Sequence, residues 1–158
     1  MDKKKERCRT AIPQRSKKSS GMTNIQDSYG QWLSQYDWSY WITFTTRYTL
    51  TLPSGRRLME RFWNHTDFKR TGNARLFWCA EPFDLREGYH LHGLLKCNGI
   101  ITIKMIAQIH NYACGNVDLR KEDWHRIQVQ RYNPKLGAGK YVAKYITKRL
   151  ADYDMLER

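Results

Sequence analysis

Apolar positions along the chain switch between a period of two and a period of three to four. The stretch Trp41–Leu52, WITFTTRYTLTL, is rich in β-branched and aromatic residues, and Pro53-Ser54-Gly55 follows it, which predicts a strand closed by a turn. Within residues 55–69, Leu58, Met59, Phe62 and Trp63 fall at helical spacing with basic residues between them. ARLFWCAEP and GYHLHGLLKC read as two strands of a hairpin joined by the turn-prone PFDLRE. Thr102 is placed to cap a helix running to about Tyr112, apolar at Ile103, Ile106, Ala107 and Ile109. HRIQVQRYN predicts a further strand. Asn133-Pro134 and Gly137 then interrupt the chain before a last helix from Gly139 to Leu150. The order β-α-β-β-α-β-α predicts an α+β protein, an antiparallel sheet covered by helices.

Charge changes the picture from fold to partner. The 158 residues hold 28 Lys and Arg against 15 acids, a net charge of +13. Nearly half of that excess lies in residues 1–22, with eight cations and two acids and little that can pack. They read as a disordered basic tail ahead of one domain over residues 23–158. A field of this sign concentrates polyanions, nucleic acid first. No apolar run approaches the roughly 18 residues that span a bilayer, and no apolar signal core follows the first basic residues, so a cytoplasmic protein with no membrane partner is expected. The four cysteines are widely spread without a CxxC pair, as expected of reduced thiols.

Alternate side chains of a strand share a face. His90 and His92 therefore point the same way, with Leu94 and Lys96, while Tyr89, Leu91, Gly93 and Leu95 point the other way. On the preceding strand Glu81 shares its face with Phe77 and Cys79, and the hairpin can bring it beside the histidines. Two imidazoles and a carboxylate leave coordination positions open, and a nitrogen–oxygen set without thiolate that acts on phosphate favours Mg²⁺ or Mn²⁺ over structural zinc. The plainer alternative is a polar pair on a wet strand face.

The segment GKYVAKYITK poses a similar choice. At about 100° per residue, Tyr141, Lys144, Tyr145 and Lys148 fall on one helix face, and Val142, Ala143, Ile146 and Leu150 on the opposite arc. It is either an ordinary amphipathic helix or a pair of phenolate nucleophiles beside ammonium groups that stabilise them and bind the attacked phosphate. GAGK, residues 137–140, is not a phosphate loop: Pro134 stands where the first glycine is required and Tyr141 where Ser or Thr is.

In sequence order, WITFTT, YHLHGLL and KYVAKYITK resemble the three motifs of the HUH superfamily of rolling-circle replication initiators, nearest the two-tyrosine branch of single-stranded DNA phages and plasmids. The resemblance covers about residues 40–150, and the third motif is its most specific part. It implies a five-stranded antiparallel sheet with a divalent metal, Mg²⁺ or Mn²⁺, on its face. It implies nicking and rejoining of single-stranded DNA at an origin, extended or folded as a hairpin, through a 5′-phosphotyrosine. His90 and His92 match the metal-binding pair, Tyr141 and Tyr145 the nucleophiles, and Lys144 the lysine between them. Glu81 is the third ligand, with Glu87 as rival. Arg47, Lys140 and Lys148 are cations for DNA, and Trp41 and Trp78 are candidates to stack bases. The chain has no room for a helicase, so a separate helicase and a host polymerase are expected partners. A non-cutting nucleic-acid-binding module and an HUH-type transposase are the alternatives.

Overall fold

A computed structural model describes residues 21–115, 127–137, 142 and 152–158. Strand β1 (Tyr40–Phe44) pairs with β3 (Tyr89–Lys96) on one side and β4 (Ile127–Arg131) on the other. β3 also pairs with β2 (Arg75–Pro82), and β2 with β5 (Tyr153–Glu157). Every pairing is antiparallel, and the order is β4-β1-β3-β2-β5. With helices α1 (Gly21–Ser34), α2 (Leu52–Trp63), α3 (Thr66–Arg70) and α4 (Ile103–Ala113), this is an α+β fold with an open five-stranded sheet.

The two sheet faces have different coverings. On one, Tyr40, Ile42, Phe44, Leu76, Trp78, Leu91 and Leu95 join the buried residues of α2 and α4 in the larger core. Each fully buried large apolar side chain contributes roughly 1.5–3 kcal/mol. Packing of Leu58, Met59, Phe62 and Trp63 therefore holds α2 more than helix propensity does. Gly93 lies on this face, and a Cβ there would stand 3.0 Å from the Phe44 ring, so Phe44 packs directly over bare backbone. On the opposite face a smaller cluster joins Leu33 of α1 to Trp38, Phe77, Cys79, Leu94 and Val142.

Several elements differ from the pattern reading. The first strand ends at Phe44, and Pro53-Ser54-Gly55 opens α2 instead of closing a strand. Thr51 is the N-cap of that helix: its hydroxyl accepts from the Ser54 amide while the Ser54 hydroxyl accepts from the Thr51 amide, a reciprocal capping box with proline in the first turn. The helix expected over 55–69 is two, broken at Asn64, with His65 capping α3. α1 and β5 were not expected. α1 begins at Gly21 and buries Leu33, and β5 completes the far edge of the sheet. β5 is pinned by Arg56 of α2, which bonds Asp152 and Asp154, and by the Arg75–Glu157 pair at 2.6 Å. The hairpin, the Thr102-capped helix and β4 stand where the sequence places them. Of the helix expected over 139–150, Val142 alone is among the described residues. Among the described residues no helix is long and apolar enough to cross a membrane.

Candidate metal centre

The β2–β3 register places Glu81 directly opposite His90, and Cys79 opposite His92. Glu81 Oε2 lies 2.5 Å from His90 Nε2 and 2.7 Å from His92 Nε2. The imidazoles stand 4.7 Å apart and nearly perpendicular, so both direct Nε2 at the same oxygen. Side-chain exposures of 20% for His90, 17% for Glu81 and 6% for His92 make the cluster shielded yet reachable from solvent. Among the described residues this is the one group of three or more ligating side chains, with all three ligand atoms within 4.8 Å of one another.

More than a polar pair is gathered here, since one carboxylate joins the two imidazoles. Both imidazole nitrogens meet one carboxylate oxygen, and the three atoms are close enough together to hold one divalent ion. Thr43, opposite His92 on β1, supplies the second layer: its Oγ1 is 3.2 Å from His92 Nδ1. With Nδ1–H donated to that hydroxyl, the Nε2 lone pair is left for a metal. Burial lowers the pKa of His92 below the ordinary imidazole value against the opposing effect of its hydrogen bond to Glu81, which favours the neutral ring a ligand must be. Burial, then the Glu81 charge, pushes the Cys79 thiol far up, so it stays protonated and the donor set is two nitrogens and one oxygen. These residues fit a divalent ion with open positions.

Aromatic rings fix the histidines from the side. Trp41, two residues before Thr43 on the same face of β1, lies 5.3 Å from the His92 ring, and Phe83 lies 4.9 Å from His90. Thr43 and Phe83 were not singled out from the sequence. Thr43 stands inside WITFTT, where the alternation with His92 across an antiparallel pair is the signal that could have found it.

The other expected residues fall in three places. Glu87 is exposed on the β2–β3 turn and does not join the cluster. Arg47 is exposed in the segment after β1. Trp78 is 1% exposed in the larger core, on the opposite face from the histidines, so it cannot stack bases. Tyr141, Tyr145, Lys144, Lys140 and Lys148 lie outside the described residues. Val142 is buried against Phe77, Cys79 and Leu94, on the sheet face that carries Glu81, His90 and His92.

No protein-family model, curated protein or solved structure matches the chain.

Proposed function

We propose that the protein is a metal-dependent nickase and strand transferase of the HUH type, acting on single-stranded DNA to start and finish rolling-circle replication. The observation that carries this reading is the shared Glu81 oxygen, which gathers His90 and His92 into a three-ligand, half-open site. Three further features support it. The five-stranded antiparallel sheet is the architecture the sequence resemblance implies. Val142, the chain neighbour of Tyr141, is buried on the face that carries the cluster. The net charge of +13 suits a polyanionic substrate.

The reaction would run as follows. The Tyr141 or Tyr145 phenol gives up its proton, and its oxygen attacks the scissile phosphorus. The bond to the 3′ oxygen breaks, that oxygen takes a proton, and the products are a 5′-phosphotyrosine and a free 3′-OH. Reversal with a new 3′-OH rejoins strands. Lys144 and Lys148 would stabilise the phenolate and the phosphate charge. A divalent ion held by His90, His92 and Glu81 would supply Lewis-acid polarisation of the scissile phosphate. Thr43 would hold the His92 ring in its ligating orientation throughout.

The test is incubation with a labelled single-stranded library and Mn²⁺, followed by denaturing electrophoresis. A covalent adduct that disappears in EDTA and in the His90→Ala/His92→Ala double variant is expected. Cleavage without adduct would mean a metal-dependent hydrolase that uses water, and binding without cleavage would mean a non-catalytic module.

A further inference from the structure

At the far end of the metal-bearing face, a cavity of about 540 Å³ opens between the last turn of α1 and the segment after β4. Its lining includes Tyr36, Trp38 and Tyr132 as aromatic walls, Gln31 and Gln35 as amides, and one charged residue, Asp37. The volume is within the roughly 300–1,000 Å³ of small-ligand pockets. The walls are held from behind. Trp38 Nε1 donates to the Leu33 carbonyl at 2.7 Å, and the Arg75 guanidinium lies 4.3 Å over the Tyr36 ring.

Asp37 is the unusual member. It is exposed, and among the described residues its carboxylate makes no hydrogen bond or ion pair, so it is open to a ligand. A carboxylate repels a phosphate, so it is not there for a nucleic-acid backbone. It suits an edge carrying two adjacent N–H donors. Among DNA bases guanine alone offers that pair, at N1–H and the N2 amine. Thymine sets one N–H between two carbonyls, and adenine and cytosine set an amine beside a ring acceptor. Aromatic stacking combined with hydrogen bonds to the base edge is how proteins read unpaired bases.

We propose that this pocket takes one unstacked guanine of the single-stranded substrate, packed against its partly exposed aromatic wall at Tyr132 and the edge of Tyr36, with its N1–H and N2–H on Asp37. Trp38, two residues before β1, is five residues from Thr43, about 16 Å along an extended chain. The guanine therefore lies a few nucleotides from the scissile phosphate and sets the register of the cut. This deepens the nicking reading and rests on it for the identity of the strand.

The experiment is selection of randomised single-stranded oligonucleotides by binding alone, with the full chain in EDTA, for the wild type and Asp37→Asn. The wild type is expected to enrich guanine at one position. Replacing that guanine with inosine, which lacks the N2 amine, should weaken wild-type binding about tenfold, the effect of losing one good base contact. Asp37→Asn should bind both oligonucleotides alike. No enriched guanine, or an inosine penalty unchanged in Asp37→Asn, would overturn the pocket. Asp37-dependent guanine selection with no covalent adduct in Mn²⁺ would instead overturn the nicking reading and leave the pocket standing.

Discussion

Glu81 and His90 face each other across the β2–β3 ladder, 2.5 Å apart from Oε2 to Nε2. The local register of one hairpin thus assembles two of the three candidate ligands, and the alternation of β3 adds His92. A site built this way survives changes elsewhere in the fold but depends on each of its three side chains.

Metal binding should therefore be visible as stabilisation. A ligand at 100 times its Kd adds about 2.7 kcal/mol, and for a domain of this size that is several degrees in Tm. Millimolar Mn²⁺ should raise the melting temperature of the wild type, and Glu81→Ala and His90→Ala should lose the shift. Thermal melts with and without EDTA check this. A full shift in Glu81→Ala would remove the carboxylate from the site.

The Thr43 hydroxyl meets the cluster at His92 Nδ1. Thr43→Val keeps the shape of a half-buried strand residue and removes the hydroxyl at Nδ1. Mn²⁺ affinity should fall about tenfold or more, the usual effect of losing such a partner, and Thr43→Ser should restore most of it. Calorimetric titration of the three proteins separates this from a packing effect, which Ser would not rescue.

What the sequence made legible was local. Period-two alternation sets the faces of β2 and β3, and a six-residue connection fixes which residues oppose, so the cluster follows from the hairpin. α2 was misread at its start because Thr-Leu alternation looks like a strand, while the reciprocal Thr51–Ser54 bonds show only in three dimensions. α1 carries helical spacing at Tyr29, Trp32 and Leu33, yet it has no acid in its first turn and continues from a basic stretch. β5 is five residues of mixed charge and apolarity whose strand state comes from the open edge of β2. Its register is a tertiary fact.

Gly88 closes the hairpin beside the cluster with φ at +99°. A Cβ there would meet Thr49 Cγ2 at 2.6 Å and the Leu50 carbonyl at 3.1 Å. Gly88→Ala should cost about 1–3 kcal/mol from the backbone strain, read as a lower midpoint in urea. An unchanged midpoint would show that the turn relaxes freely.

The thiols give a pH dependence of known sign. Burial pushes Cys97 up to about 11 and Cys114 up to about 12, against an ordinary value of 9.0. Both are neutral in the folded state where the unfolded chain has already ionised them. The unfolded state thus loses protons first, and stability is full below pH 9 and falls as pH rises from 9 towards 12. Cys114→Ala should flatten that fall in urea titrations across the range, and an equally steep fall would assign the alkaline loss to other groups.

The most direct test of the central claim is covalent capture of labelled single-stranded DNA in Mn²⁺ by the wild type, Tyr141→Phe, Tyr145→Phe and the double variant. The account predicts an SDS-stable adduct with the wild type, a reduced but detectable adduct with each single variant, greater loss for Tyr141→Phe, and none with the double variant. An adduct of wild-type yield from the double variant, or undiminished adduct from His90→Ala/His92→Ala in EDTA, would contradict it.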